Sequence, residues 1–229
     1  MDLELRGKTA LVTGGSRGIG FAIAERLVAE GCAVRLVSRQ PDALAKAAQS
    51  LKERHGADVQ VHAANLSVQD EVRGVYPLLE GVDILVNSAA DTPRGSILDN
   101  TAEVLCAAFN VKAFAAIMLC REAILKMKAR GGGVIVNIIG TSGERCNPKS
   151  VPTAIVNAAM MAFTQAVGSG SVDDNVRMVG VNPGLVATDR TRSVSRPGVD
   201  QAAHEQTLKR LPWGRMAHAA EVADRSEEH

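Results

Sequence analysis

The run Thr13-Gly14-Gly15-Ser16-Arg17-Gly18-Ile19-Gly20 constrains this chain more than any other, because of what stands on either side of it. Before it, Thr9-Ala10-Leu11-Val12-Thr13 is apolar through its centre and ends in glycines, as a strand buried on both faces should. After it, residues 19–30 repeat their apolar side chains with helical period and stop at Gly31. A glycine-rich turn between a buried strand and a helix permits close backbone approach. It also presents the free N–H groups of the helix start to a pyrophosphate. The expectation is a strand–turn–helix unit that binds a dinucleotide.

The alternation continues along the chain. Residues 33–37, 58–62, 82–86, 134–138 and 176–181 read as further strands. Pro41 opens a helix at its first turn, and long helices are expected over about 100–129 and 153–167. Strict alternation of strand and helix implies an α/β fold: a Rossmann-like, doubly wound parallel sheet in three layers. The 229 residues suit one domain, 1–229, with a sizeable core, and no repeat or linker interrupts them.

Composition narrows the partners. The formal charge is only +1 and aromatic residues make up 3%, so neither a polyanion-binding surface nor stacking platforms for nucleic acid are expected. No continuous apolar run is long enough to span a bilayer, and the acidic start Met1-Asp2-Leu3-Glu4 lacks the layout of a secretory leader. No membrane partner is expected. Cys32, Cys106, Cys120 and Cys146 show neither CxxC spacing nor a histidine pattern. Free thiols of a reducing cytoplasm are expected, and no metal site.

The second strand selects the dinucleotide. A site for NAD places a carboxylate on the ribose hydroxyls about twenty residues after the glycines. Here that place reads Val37-Ser38-Arg39. Arg39 suits a 2′-phosphate, and Arg17 can approach it from the glycine loop. Either arginine alone reads as a solvated surface charge; the two together favour NADP(H).

Further segments follow in order: Asp83-Ile84-Leu85-Val86-Asn87-Ser88-Ala89-Ala90, Asn110-Val111, Ile135-Val136-Asn137-Ile138, and Asn182-Pro183-Gly184 through Thr188. With the glycine run, they make the chain resemble the short-chain dehydrogenase/reductase family over nearly its whole length. The resemblance implies an open sheet of strand order 3-2-1-4-5-6-7. It implies that Gly14, Ser16, Arg17, Gly18, Ile19 and Gly20 hold the cofactor, with Ser38 and Arg39 beside its ribose. Asn65 and Leu66 would flank the adenine, although the family usually has aspartate at the first of these. Asn87 and Ala89 would line the cofactor, and Pro183, Gly184, Val186 and Thr188 would lie by the nicotinamide.

The family's chemistry uses serine, tyrosine and lysine, helped by an asparagine. Alignment through Asn137-Ile138-Ile139-Gly140-Thr141-Ser142-Gly143 puts Gly140 at the serine, Thr153 at the tyrosine and Asn157 at the lysine. Only Asn110 is retained. The single tyrosine of the chain is Tyr76, so no shift of alignment restores the phenol. Thr153 and Asn157 still share one helix face at i,i+4. An aliphatic hydroxyl is far less acidic than a phenol, and losing a positioned acid costs about 10²–10⁴ in rate.

The candidate catalytic residues are Asn110, Thr153, Asn157 and Ser142, the last in the loop after the fifth strand. Thr141 and Glu144 beside it read as turn groups, and Cys146 next to Arg145 lacks the paired histidine of a nucleophile. His204, where the family covers its substrate, reads as solvated. Met160, Met161 and Phe163 read as core or subunit contacts. Three readings stand: an oxidoreductase for a small molecule that needs no enzyme acid, such as an iminium ion or a quinone; an inert NADP(H)-dependent sensor or scaffold; and a decayed enzyme with neither role. A homo-oligomer through the helices near 100–129 and 153–167 is expected. Where the family continues with an apolar helix and a last strand, this chain reads Arg225-Ser226-Glu227-Glu228-His229, so the sixth strand is expected as an exposed edge.

Overall fold

Successive residues of a strand point to opposite faces of its sheet, and the first strand shows what this does here. Ala10 and Val12 join one core cluster, with Ile23, Ala24 and Leu27. Leu11 between them joins another, with Leu119, Ala123 and Met127. The sheet is therefore apolar on both faces and covered by helices on both. Each fully buried leucine or isoleucine, such as Leu11, Leu85 or Ile135, contributes about 1.5–3 kcal/mol.

In the computed structural model, residues 3–192, 205, 206 and 208–227 are described. The strands are β1 (Thr9–Thr13), β2 (Ala33–Ser38), β3 (Gln60–Ala63), β4 (Ile84–Asn87), β5 (Gly133–Ile138) and β6 (Val176–Val181). They form one parallel sheet in the order β3-β2-β1-β4-β5-β6. The helices are α1 (Gly18–Ala29), α2 (Pro41–His55), α3 (Gln69–Val75), α4 (Ala102–Phe109), α5 (Ala115–Ala129) and α6 (Val151–Ser171). After β6 come β7 (Val186–Ala187), α7 (Asp189–Arg192), β8 (Ala217–His218) and α8 (Ala219–Glu227). β7 and β8 pair in parallel as a second, two-stranded sheet. Strand order reverses between β1 and β4, and ligand crevices in such sheets open at the strand ends beside that reversal.

The expected Rossmann-like α/β architecture is present, with differences of detail. β3 and β4 begin two residues later than the sequence pattern places them. The helix expected over 100–129 is continuous in direction, but Asn110–Phe114 forms a π-helical segment between α4 and α5. Two helical stretches, Ala102–Ala129 and Val151–Asp174, are long and apolar enough to cross a membrane by length and composition. Neither is an unbroken apolar run, because scattered polar residues interrupt both without lowering the mean hydropathy much. Leu119, Cys120, Ala123 and Met127 on one of them, and Val156 and Met160 on the other, are buried in the core. Among the described residues no seventh strand joins the large sheet, and β6 is its last member.

Candidate active site

The glycine turn works by close contact. Gly14 has φ +67°, and a Cβ there would lie 2.9 Å from the backbone of Ala89. A Cβ on Gly20 would lie 2.5 Å from the Gly14 carbonyl oxygen. Any side chain at either place would force the loop away from β4. Thr13 completes the join: its hydroxyl oxygen accepts from the backbone N–H of Ser88 and of Ala89 at 3.1 and 3.3 Å. The loop after β1 and the loop after β4 are thus one surface, topped by the start of α1, where Gly18 lies against Thr188.

At the end of β2 the Ser16 and Ser38 hydroxyls are 2.9 Å apart, which joins the glycine loop to the β2 end. Arg17 is exposed immediately before α1. Arg39 is exposed too, and its guanidinium pairs with Asp91 at 3.3 Å. The side chain of Asn65 is used locally, accepting from the Ser67 N–H and hydroxyl at 3.2 and 2.8 Å. Leu66 is buried in the core, which leaves its backbone, not its side chain, for any ligand.

Deeper in, Asn87 donates to the Asn137 side-chain oxygen at 2.9 Å, and Asn137 donates to the Thr164 hydroxyl at 3.0 Å. Asn87 also donates to the Cys120 sulfur at 3.2 Å. These buried groups tie β4, β5, α5 and α6 together directly beneath the crevice. Burial pushes the Cys120 thiol up to about 12, against the opposing pull of Asn87 and Asn137. The sulfur is a packed, hydrogen-bonded group with no nucleophilic character at neutral pH.

Of the catalytic candidates, Ser142 and Asn157 meet at the loop after β5, whereas Thr153 bonds the loop after β4. Gly140 has φ +135° and ψ 141°, a combination that residues with a side chain rarely adopt. A Cβ there would lie 2.9 Å from the Asn157 amide nitrogen. Asn157, only 2% exposed, donates instead to the Ser142 hydroxyl at 2.7 Å. Its side-chain oxygen is buried with no hydrogen-bond partner. Thr153, one turn earlier on α6, donates to the Thr92 hydroxyl at 3.2 Å, with the Pro93 carbonyl oxygen at 3.5 Å. Asn110 opens the π-helical segment, which packs against α6.

The loops after β5 and β6 are joined where the Thr141 N–H donates to the Pro183 carbonyl oxygen at 3.0 Å. Gly184 is exposed, Val186 is buried in β7, and the Thr188 N–H donates to the Thr191 hydroxyl at 2.8 Å. His204 lies outside the described residues.

Three participants were missed by the sequence reading. Thr92 anchors the Thr153 hydroxyl, and Asp91 pairs with Arg39. Lys112, 9% exposed, points its ammonium at the Ile139 carbonyl oxygen immediately before Gly140. A signal for Lys112 was present: it is the sole charged residue in the otherwise apolar stretch 107–120.

Residues 8–197 match the family described as short chain dehydrogenase. The chain is 31% identical over 233 residues to 3-oxoacyl-(acyl-carrier-protein) reductase FabG of Aquifex aeolicus, with 98% of this chain and 90% of that protein covered. A crystal structure of L-sorbose reductase from Gluconobacter frateurii, complexed with NADPH and L-sorbose, is similar with a TM-score of 0.91 at 31% identity. It covers 100% of this chain and 91% of that one. The 3-oxoacyl (acyl-carrier-protein) reductase of Agrobacterium tumefaciens with NADP bound gives a TM-score of 0.88 at 30% identity, covering 97% and 87%.

Proposed function

The chain belongs to the short-chain dehydrogenase family, and on that premise we propose that it is an NADP(H)-binding oxidoreductase with an atypical active site. It acts on a small organic molecule that brings its own electrophilic activation. The observation that carries this reading is the tight glycine cradle standing beside the linked set Gly140, Ser142 and Asn157. NADP(H), when bound, supplies or accepts the hydride. Gly14, Ser16, Gly18, Ile19 and Gly20 hold its pyrophosphate, Ser38, Arg39 and Arg17 its phosphorylated ribose, and Asn65 and Leu66 its adenine end. Asn87, Ala89, Pro183, Gly184, Val186 and Thr188 line the rest.

At the reacting end, Ser142 is the hydroxyl nearest the vacated serine position, and Asn157 orients it. Thr153 holds a second hydroxyl in place through Thr92, and Asn110 stands on the π-helical segment that packs against α6. None of these groups titrates near neutral pH, so they hold a substrate oxygen or nitrogen without protonating it. Iminium ions and quinones fit such a site; unactivated ketones do not.

Stopped-flow oxidation of NADPH against ketones, quinones and cyclic imines tests this. Turnover of a quinone or imine at least about 10²-fold faster than of a simple ketone is expected. No turnover above buffer with any class removes the redox reading. A second reading, an inert NADP(H)-dependent sensor or scaffold, is favoured by one observation: positions 140, 153 and 157 carry no titratable side chain. It requires a protein partner whose capture changes with NADPH. In either case we place the protein in the cytoplasm as a homo-oligomer through α4, α5 and α6, where Phe114, Met118, Leu125 and Ile155 are exposed apolar side chains.

A further inference from the structure

Resting on the NADP(H) reading, one contact at the mouth of the crevice has its own consequence. The guanidinium assigned to the 2′-phosphate is already engaged by an anion of the chain itself: Arg39 Nη1 lies 3.3 Å from Asp91 Oδ2. Asp91 follows directly on Asn87–Ala90, the segment that lines the crevice beyond β4.

Its position is built by its neighbours. Thr92 is 5% exposed and accepts from Thr153 on α6. Gly95 donates to the Lys149 carbonyl oxygen at 2.9 Å, and the Val151 N–H donates to the Gly95 carbonyl oxygen at 3.0 Å. The loop is fastened to the start of α6 within four residues of the carboxylate. Asp91 is therefore carried on a fixed support facing Arg39.

We propose that Asp91 is an intramolecular competitor for the cofactor's 2′-phosphate and so a determinant of cofactor selectivity. A phosphate and a carboxylate cannot both take the same exposed guanidinium without repulsion. The phosphate must displace Asp91, and Arg39 turns from one anion to the other. The pair thus lowers NADPH affinity while leaving NADH, which has no 2′-phosphate, unaffected. Because both side chains are more than half exposed, the competition is modest: an exposed pair is worth a factor of about two to five in affinity.

Dissociation constants for NADPH and NADH are measured by calorimetry on the full chain, its Asp91→Asn and Arg39→Gln variants, and the double variant. Asp91→Asn is expected to tighten NADPH about two- to fivefold, to leave NADH unchanged, and to have no effect on NADPH in the Arg39→Gln background. Unchanged NADPH affinity in Asp91→Asn overturns the proposal. An equal gain for NADH, or a gain that survives Arg39→Gln, also overturns it, since either makes Asp91 a diffuse charge effect. Absence of NADPH binding to the unmodified protein is a different failure: it removes the cofactor reading itself, and this inference with it.

Discussion

At position 140 the backbone decides which side chains are admissible. With φ +135° and ψ 141°, Gly140 occupies a region that costs other residues about 1–3 kcal/mol, and a new Cβ would also press on the Asn157 amide. Gly140→Ser is therefore expected to lower unfolding free energy by about 1–3 kcal/mol in urea titrations. An unchanged midpoint would mean that the loop turns over to accommodate serine. Introducing serine, tyrosine and lysine at 140, 153 and 157 is consequently more than a change of three side chains. The cysteines divide just as sharply. Burial raises Cys32 to about 11 and Cys120 to about 12, while Cys106 and Cys146 are exposed. Two thiols should react with Ellman's reagent in the native protein at pH 8, and four after unfolding. Four fast thiols in the native state would contradict the burial described.

Among the elements, the six strands, their parallel pairing and the glycine turn were legible in the sequence, because buried strands and helix periods leave clear patterns, while the strand order followed from the family resemblance. The π-helical segment was not, since a one-residue widening between Asn110 and Phe114 leaves the apolar spacing almost intact. Such segments concentrate at functional sites, and this one brings Lys112 beneath the β5 loop. The Asp91–Arg39 pair was equally hidden, because it joins residues 52 positions apart. The Arg215–Glu221 pair, which ties the segment before β8 to α8 with contacts of 2.8 and 2.9 Å, carries a prediction of its own. Arg215 holds the Glu221 carboxyl well down, to about 2 from its ordinary 4.5. A carboxyl lowered on folding stabilises above its unfolded value and loses that contribution as pH falls from about 4.5 through about 2. Trp213, the one tryptophan of the chain, lies 5.5 Å from the Arg215 guanidinium and reports on it. Its emission should change across that window in the unmodified protein, and Glu221→Gln should lack this step. Identical acid titrations of the two proteins would contradict the assignment.

For the molecule as a whole, the exposed Phe114, Met118 and Leu125 lie at i, i+4 and i+11 on one side of the long helix, with Ile155 exposed on α6. Exposed Arg121 stands between Met118 and Leu125 on that side, so the face pairs apolar side chains with a charge, as the rim of an interaction surface does. Phe114→Glu with Leu125→Glu should shift sedimentation from an oligomer toward the monomer with the fold retained, and an unmodified protein that sediments as a monomer would refute the proposed interface. The glycine turn was readable because its close approach to the neighbouring backbone leaves no room for a side chain at Gly14 or Gly20. The reaction was not, because hydroxyls and amides at 142, 153 and 157 serve equally well as donors, acceptors or packing. The most direct test of the account is calorimetric titration of the unmodified protein with NADPH and NADH. A charge-assisted bond to a phosphate is worth about 1.5–3 kcal/mol, so NADPH should bind at least about tenfold more tightly than NADH, with Arg39→Asp erasing the difference. Equal affinities for the two cofactors, or no heat with either, would contradict it.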